Sequence, residues 1–243
     1  MSTIEALVQH MQFQWTRHEV LANNLSNTAT PGFKRDDVAL VPENVGATTN
    51  AANVLPLPAG LAMIQWTDFA QGFLQPTGRN LDNAINGPGF FVVDGPGGAP
   101  RYTRAGNFNV NKDGILVGPS GAAVLGRNGP ITITTSKVHV GPSGEVFDNG
   151  RLVDTLRIVD FPRPYRFNKE GQGLLTPVDP TVEATEAKNF EVAGQTLEAS
   201  NVGTVQMMVS MIDVLRTYEA CQRAMQAVEQ ANQEATTNIG KVS

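Results

Sequence analysis

The chain has 243 residues, 41% hydrophobic and 17% charged, which is enough apolar content for one large packed domain or two smaller ones. With 18 Lys and Arg against 23 Asp and Glu, its net charge of −5 argues against a surface built to neutralise nucleic-acid phosphates. One cysteine excludes an internal disulfide and three scattered histidines make a zinc cluster a poor reading, while no apolar run approaches the ~20 residues that span a bilayer.

Proline and glycine organise the rest. All 15 prolines lie between Pro31 and Pro180, and 14 of the 24 glycines lie between Gly87 and Gly150. Proline clashes inside a helix and glycine costs about 1 kcal/mol there relative to alanine. The ends are therefore helix-permissive and the middle is not.

At the N-terminal end, Ile4, Val8, Met11, Trp15, His18, Ala22 and Leu25 recur four and three apart, a stripe that is apolar except at His18. Ser2 or Thr3 caps the predicted helix, and Thr30-Pro31-Gly32 ends it, since the residue before proline disfavours the helical region. The first twenty residues have no basic start, apolar core and small-residue cleavage site in the order of a cleavable secretory signal.

Residues 36–75 read as an extended, loosely structured linker. Met63-Ile64-Gln65-Trp66 reads as a short strand within it, and the Ala-, Asn- and Pro-rich stretch Ala47–Leu61 fits no pattern. From Asn86 the pattern becomes one of short strands. These are Phe90–Val93, Arg101–Arg104, Asn107–Val110, Ile115–Val117, Ile131–Thr134, Lys137–Val140, Glu145–Phe147 and Leu152–Phe161. Turn steps at Asp113-Gly114, Asn128-Gly129 and Asn149-Gly150 favour hairpins because they tolerate positive φ. No βαβ alternation appears, so the middle reads as an antiparallel β domain.

A last helix from about Thr204 to Thr237 has Met208, Met211, Leu215, Tyr218, Cys221, Met225 and Val228 on one face, widened by Val205, Val209 and Ile212. At 1.5 Å per residue it is roughly 50 Å long, a length that packs better on another long helix than on a small β core. The expectation is an α+β protein, its terminal helices paired in a coiled-coil-like stalk beside the β domain. Residues 1–35 and 198–243 then form the helical unit, 36–75 the linker and 76–197 the β domain.

Catalytic patterns are missing. Asn109, Asn111, Asp113 and Gly114 imitate half a calcium loop, but the position for the bidentate glutamate is Ser120, so this reads as a hairpin turn. His10 and His18 are too far apart to share a metal, and His139 stands alone in a predicted strand. Adjacent Asp36 and Asp37 point to opposite faces of an extended chain, and Cys221 reads as a small apolar seam residue. No catalytic, cofactor or metal site is expected.

Three stretches carry a resemblance. Leu21-Ala22-Asn23-Asn24-Leu25-Ser26-Asn27-Thr28-Ala29-Thr30-Pro31-Gly32-Phe33-Lys34 is similar to the N-terminal signature of bacterial flagellar basal-body rod and hook proteins. Leu197-Glu198-Ala199-Ser200-Asn201-Val202, running into Met207–Tyr218, resembles their C-terminal signature. Between them, Gly89–Val93, Tyr102–Phe108 and Asp113–Val117 resemble the rod members. The short connection from Arg35 to about Gln75 and the total length are nearer the proximal-rod members than the distal-rod or hook members.

The resemblance implies a non-enzymatic subunit of the periplasmic drive shaft that transmits torque for motility. It implies export by the flagellar type III apparatus without a cleaved signal, and assembly with copies of itself and other axial proteins. No nucleic acid, small-molecule substrate or transmembrane segment is implied. The assembly surface is expected to use Ile4, Val8, Met11, Trp15, Leu21, Asn24, Leu25, Met208, Met211, Ile212, Leu215, Tyr218 and Met225. Asn27, Thr30, Pro31, Gly32 and Phe33 form the signature turn. A seam without a partner in its own subunit must be covered by neighbours, and repeated heterologous contacts build a helical tube. The competing reading is a soluble β binding module with helical oligomerisation ends.

Overall fold

A computed structural model describes residues 3–42, 53–57, 61–135 and 137–239. The terminal segments are the two long helices, α1 at Thr3–Ser26 and α2 at Thr204–Ile239, and the two are in contact. Antiparallel β structure fills the middle, so the fold is α+β. The chain divides into two compact units.

The helical unit comprises the described residues within Met1–Ser26, Asp36–Trp66 and Gly203–Ser243. Alongside the helices it has a three-stranded sheet in which Leu61–Thr67 lies between Asp36–Pro42 and Asn53–Leu57. The stretch expected to be a loose linker therefore contains these three strands and the start of a fourth, Leu74–Pro76, and Met63–Trp66 lies within one of them. The alternation there is hard to read because Ala62 and Met63 are consecutive and both buried. Of Ala47–Leu61, Asn53–Leu57 is a strand paired with Leu61–Gln65; residues 47–52 and 58–60 lie outside the described residues, as does Ser2.

The inward face of α2 differs from the expected one. Met207, Val214 and Cys221, seven apart, are buried, with Met211, Tyr218, Met225 and Val228 half-buried beside them. Met208 and Leu215, placed on that face by periodicity, are 49% and 47% exposed. On α1 the buried positions are Gln9, Gln14, Val20, Leu21 and Asn24, whereas Val8 and Trp15 are exposed. Helix α1 packs against both α2 and the strand Asp36–Pro42, so its covered surface is wider than one stripe and includes polar side chains.

The β unit comprises Asn27–Arg35 and the described residues within Thr67–Val202. Its largest sheet has six strands in the order Phe167–Gly171, Leu174–Pro177, Pro100–Thr103, Phe90–Asp94, Ile158–Asp160, Thr185–Glu186. Alternate residues of a strand point to opposite faces. Phe90 and Val92 enter an aromatic core with Tyr102, Phe161 and Phe167, while Phe91 and Val93 enter an aliphatic core with Ile85, Phe108 and Leu116. Because both faces are covered, Phe90–Val93 reads as a continuous apolar run rather than an alternating one.

Other expected strands shift. Leu152–Phe161 is two strands in two different sheets, Arg151–Thr155 and Ile158–Asp160, because Leu156 turns in to pair with Gly126. Ile131–Thr134 is not a strand; a bridge joins Thr132 to Ile115, and the Ile131 and Ile133 side chains fill the aliphatic core. The half calcium loop is a turn: the Asn111 side-chain oxygen accepts from the Asp113 and Ile115 amides, and the Asn111 amide donates to the Ile115 carbonyl.

Candidate functional site

Two places concentrate the signature residues, one in each unit. In the helical unit, Asn24 is fully buried and its side-chain amide imitates a strand partner. Its nitrogen donates to the Asp36 carbonyl at 2.7 Å and its oxygen accepts from the Asp36 amide at 2.9 Å. Only an amide side chain offers a donor and an acceptor in that geometry. Asn24 thereby fixes where the strand Asp36–Pro42 lies against α1.

In the β unit, both signatures meet. The Thr30 amide donates to the Asn27 carbonyl and the Phe33 amide to the Thr30 carbonyl, forming the turn around Pro31-Gly32. The Gly32 amide donates to the Glu198 carbonyl at 2.7 Å. Gly32 has φ +69°, and a Cβ placed there would lie 2.4 Å from the Arg104 carbonyl carbon, so glycine is required for both torsion and space. Asn201 closes the other side. Its side-chain oxygen accepts from the Arg35 amide at 2.8 Å and its nitrogen donates to the Asp68 carbonyl at 2.8 Å.

Three buried charges lie beneath this turn. Lys34 Nζ is 2.5 Å from Glu198 Oε1, and an Arg104 guanidinium nitrogen is 3.5 Å from Glu198 Oε2. The Glu198 side chain is fully buried and also accepts from the Gly72 amide at 2.9 Å. Lys34 donates further to the Ala70 carbonyl at 2.8 Å, and Arg104 to the Gly87 carbonyl at 2.8 Å while lying over the Phe90 ring. Burial pulls the Lys34 pKa below its ordinary 10.5, opposed by the attraction of Glu198. Phe33 is covered by Lys169, whose ammonium lies 4.4 Å from the ring centroid and donates to the Lys34 carbonyl. Motif reading alone missed this triad. The available signal was a single charged residue inside each of three otherwise uncharged motif strings: Lys34, Arg104 and Glu198.

The residues expected to mediate assembly fall into three groups. Leu21 and Asn24 are buried within their own chain. Ile4, Met11, Leu25, Met211, Tyr218 and Met225 are half-buried. Val8, Trp15, Met208, Ile212 and Leu215 are exposed. Asn27, Thr30, Pro31, Gly32 and Phe33 are half-buried in the β unit's junction. Trp15 and Tyr218 approach ring to ring at 6.4 Å. Among the described residues, no group of three or more His, Cys, Asp or Glu could hold a metal ion, and no helix is long and apolar enough to cross a membrane.

Comparison with known proteins supplies the class. Residues 84–147 match the flagellar hook protein FlgE/F/G D1 domain, and residues 193–238 match the flagellar basal body rod FlgEFG protein C-terminal region. The chain is 33% identical over 228 residues to the flagellar basal-body rod protein FlgF of Caulobacter vibrioides, covering 93% of this chain and 92% of the relative. It is 31% identical over 251 residues to the flagellar basal-body rod protein FlgG of Agrobacterium fabrum, covering 94% and 96%. It is also 35% identical over 113 residues to the flagellar hook protein FlgE of Brucella abortus, covering 45% and 27%. The chain belongs to the flagellar FlgE/F/G family, as a non-enzymatic basal-body rod protein that is FlgF-like and also similar to FlgG. Membership implies assembly with rod proteins.

Proposed function

We propose that this chain is a proximal-rod subunit, stacked helically with copies of itself and other axial proteins into the periplasmic shaft that transmits torque. In this reading the terminal helices build the tube of the shaft, and the flagellar type III apparatus delivers the chain. The observation that carries the reading is the exposed apolar face of α2, with Val205 76% and Ile212 50% exposed. Large apolar side chains grouped on one face of a helix mark a surface that another protein covers. The 33% identity to a FlgF over nearly the whole chain supports the proximal position.

The second reading is the distal rod, favoured by 31% identity to a FlgG over a similar span. Complementation separates the two. The chain should restore motility to a strain lacking its FlgF and not to one lacking its FlgG, and density for the intact basal body should place it in the proximal rod. Rescue of the FlgG-deficient strain alone would reverse the assignment.

A further inference from the structure

The chain has three Asn-Gly steps, Asn86-Gly87, Asn128-Gly129 and Asn149-Gly150, all in the β unit. Such a step can react with itself. The glycine amide nitrogen, after giving its proton to solvent base, attacks the asparagine Cγ; the bond from Cγ to the side-chain nitrogen breaks and ammonia leaves. Water then opens the five-membered succinimide, to aspartate through one carbonyl or to isoaspartate through the other. Glycine permits the attack because it has no Cβ in the way. By sequence the three steps are equivalent. In the fold they are not.

At Asn86-Gly87 both reacting groups are held. Asn86 lies in the strand Asn83–Asn86, opposite Glu191. The Gly87 amide, the nucleophile, donates to Gln71 Oε1 at 3.1 Å, and Gln71 Nε2 donates to Asn86 Oδ1 at 3.4 Å. One glutamine thus engages both partners of the reaction. At Asn128-Gly129 the leaving group is held. The Asn128 side-chain nitrogen donates to Asp154 Oδ1 at 3.1 Å, and its main-chain amide to Asp154 Oδ2 at 3.2 Å. Gly129 is already in a ladder, facing Gly126. Turning the Asn128 carboxamide towards Gly129 breaks a hydrogen bond to a carboxylate, which is the stronger kind.

Asn149-Gly150 has neither restraint. The two residues, both exposed, are the loop of a hairpin in which Asp148 faces Arg151, with φ +51° and +81°. The Asn149 main-chain amide donates to the Lys137 carbonyl at 2.9 Å. Its carboxamide and the Gly150 amide make no hydrogen bond among the described residues. A Cβ added at Gly150 would meet no atom within 4 Å, so the space around the nucleophile is open.

We propose that Asn149 is the deamidation site of the folded chain, with Gln71 and Asp154 protecting Asn86 and Asn128. The reaction consumes one water and releases one ammonia. It turns a neutral side chain into a carboxylate next to Asp148, and the isoaspartyl product adds one main-chain atom to a two-residue turn. Nothing in this chemistry depends on the rod reading.

The test incubates the purified full chain at mildly alkaline pH, native and in denaturing guanidinium chloride, and digests it at acid pH, where the reaction is slow. Mass spectrometry then gives the aspartate and isoaspartate formed at each step. Denatured, the three steps should react at comparable rates, since each attacks through a glycine amide. Native, Asn149 should exceed Asn86 and Asn128 by about tenfold or more. Gln71→Ala should raise the Asn86 rate alone, and Asn149→Gln should remove the main native product. A native rate at Asn86 or Asn128 equal to that at Asn149 overturns the assignment, as does an inert Asn149 in a native chain whose denatured form reacts. An unchanged Asn86 rate in Gln71→Ala overturns the protection by Gln71.

Discussion

Glu198 is the one anion among the three charges of the β-unit junction, with Lys34 and Arg104 held against it out of water. Glu198→Gln leaves both cations buried without a counter-charge, a change that typically costs about 3–5 kcal/mol. Urea unfolding of the variant should show a loss of that order, and the triple change Lys34→Met, Arg104→Met, Glu198→Leu should lose less. Equal losses would mean the ions contribute no more than shape. Gly32→Ala should also be costly because of its contact with Arg104, whereas Gly78→Ala, at φ +74° with nothing near the added carbon, pays only the torsional cost of about 1–2 kcal/mol. Thermal melting of the pair should rank Gly32→Ala well below Gly78→Ala. Hydrogen bonds from the Thr135 and Thr134 hydroxyls and amides hold the Asp148 carboxyl at about 2, below its ordinary 3.8. A pKa depressed by folding contributes stability above pH 3.8 that is lost as pH falls towards 2. Asp148→Asn should flatten the acid limb of the stability curve between those values; an unchanged slope would remove Asp148 from the acid response.

At the scale of an element, α2 is the decisive case. One of its apolar faces is packed on α1 and the other is exposed, so the same substitution should have opposite consequences two residues apart. Val214→Glu places a carboxylate against α1 and should destabilise the helical unit by more than about 2 kcal/mol, seen as lost ellipticity at 222 nm on warming. Ile212→Glu changes an exposed position and should stay within about 0.5 kcal/mol of the parent while preventing assembly. If both variants melted alike, the two faces would not be distinct. The existence and extent of this helix were legible in the sequence, because its proline-free run is long. Which face turns inward was not legible. A helix with apolar residues on two sides offers the periodicity two solutions, and the neighbour selects Met207, Val214 and Cys221. The connection after α1 was obscure for a related reason. Its strands pair with one another, and consecutive buried residues at Ala62 and Met63 break the alternation that would announce a sheet.

For the whole molecule, the proposed assembly depends on what the chain leaves uncovered. Leu215→Glu should leave the β unit folded, with unchanged near-ultraviolet circular dichroism, and yet fail to restore motility in a strain lacking its FlgF. Full motility of that variant would remove Leu215 from any interface. The sequence by itself determined the α+β partition, since proline and glycine forbid long helices wherever they cluster, and its three motif strings pointed to the rod and hook family. Tertiary structure alone decided that Lys34 and Glu198, 164 residues apart, share one buried contact with Arg104. It also decided which side of each terminal helix remains open. Local patterns record the conformation a segment can adopt. Burial depends on which distant segment arrives to cover it.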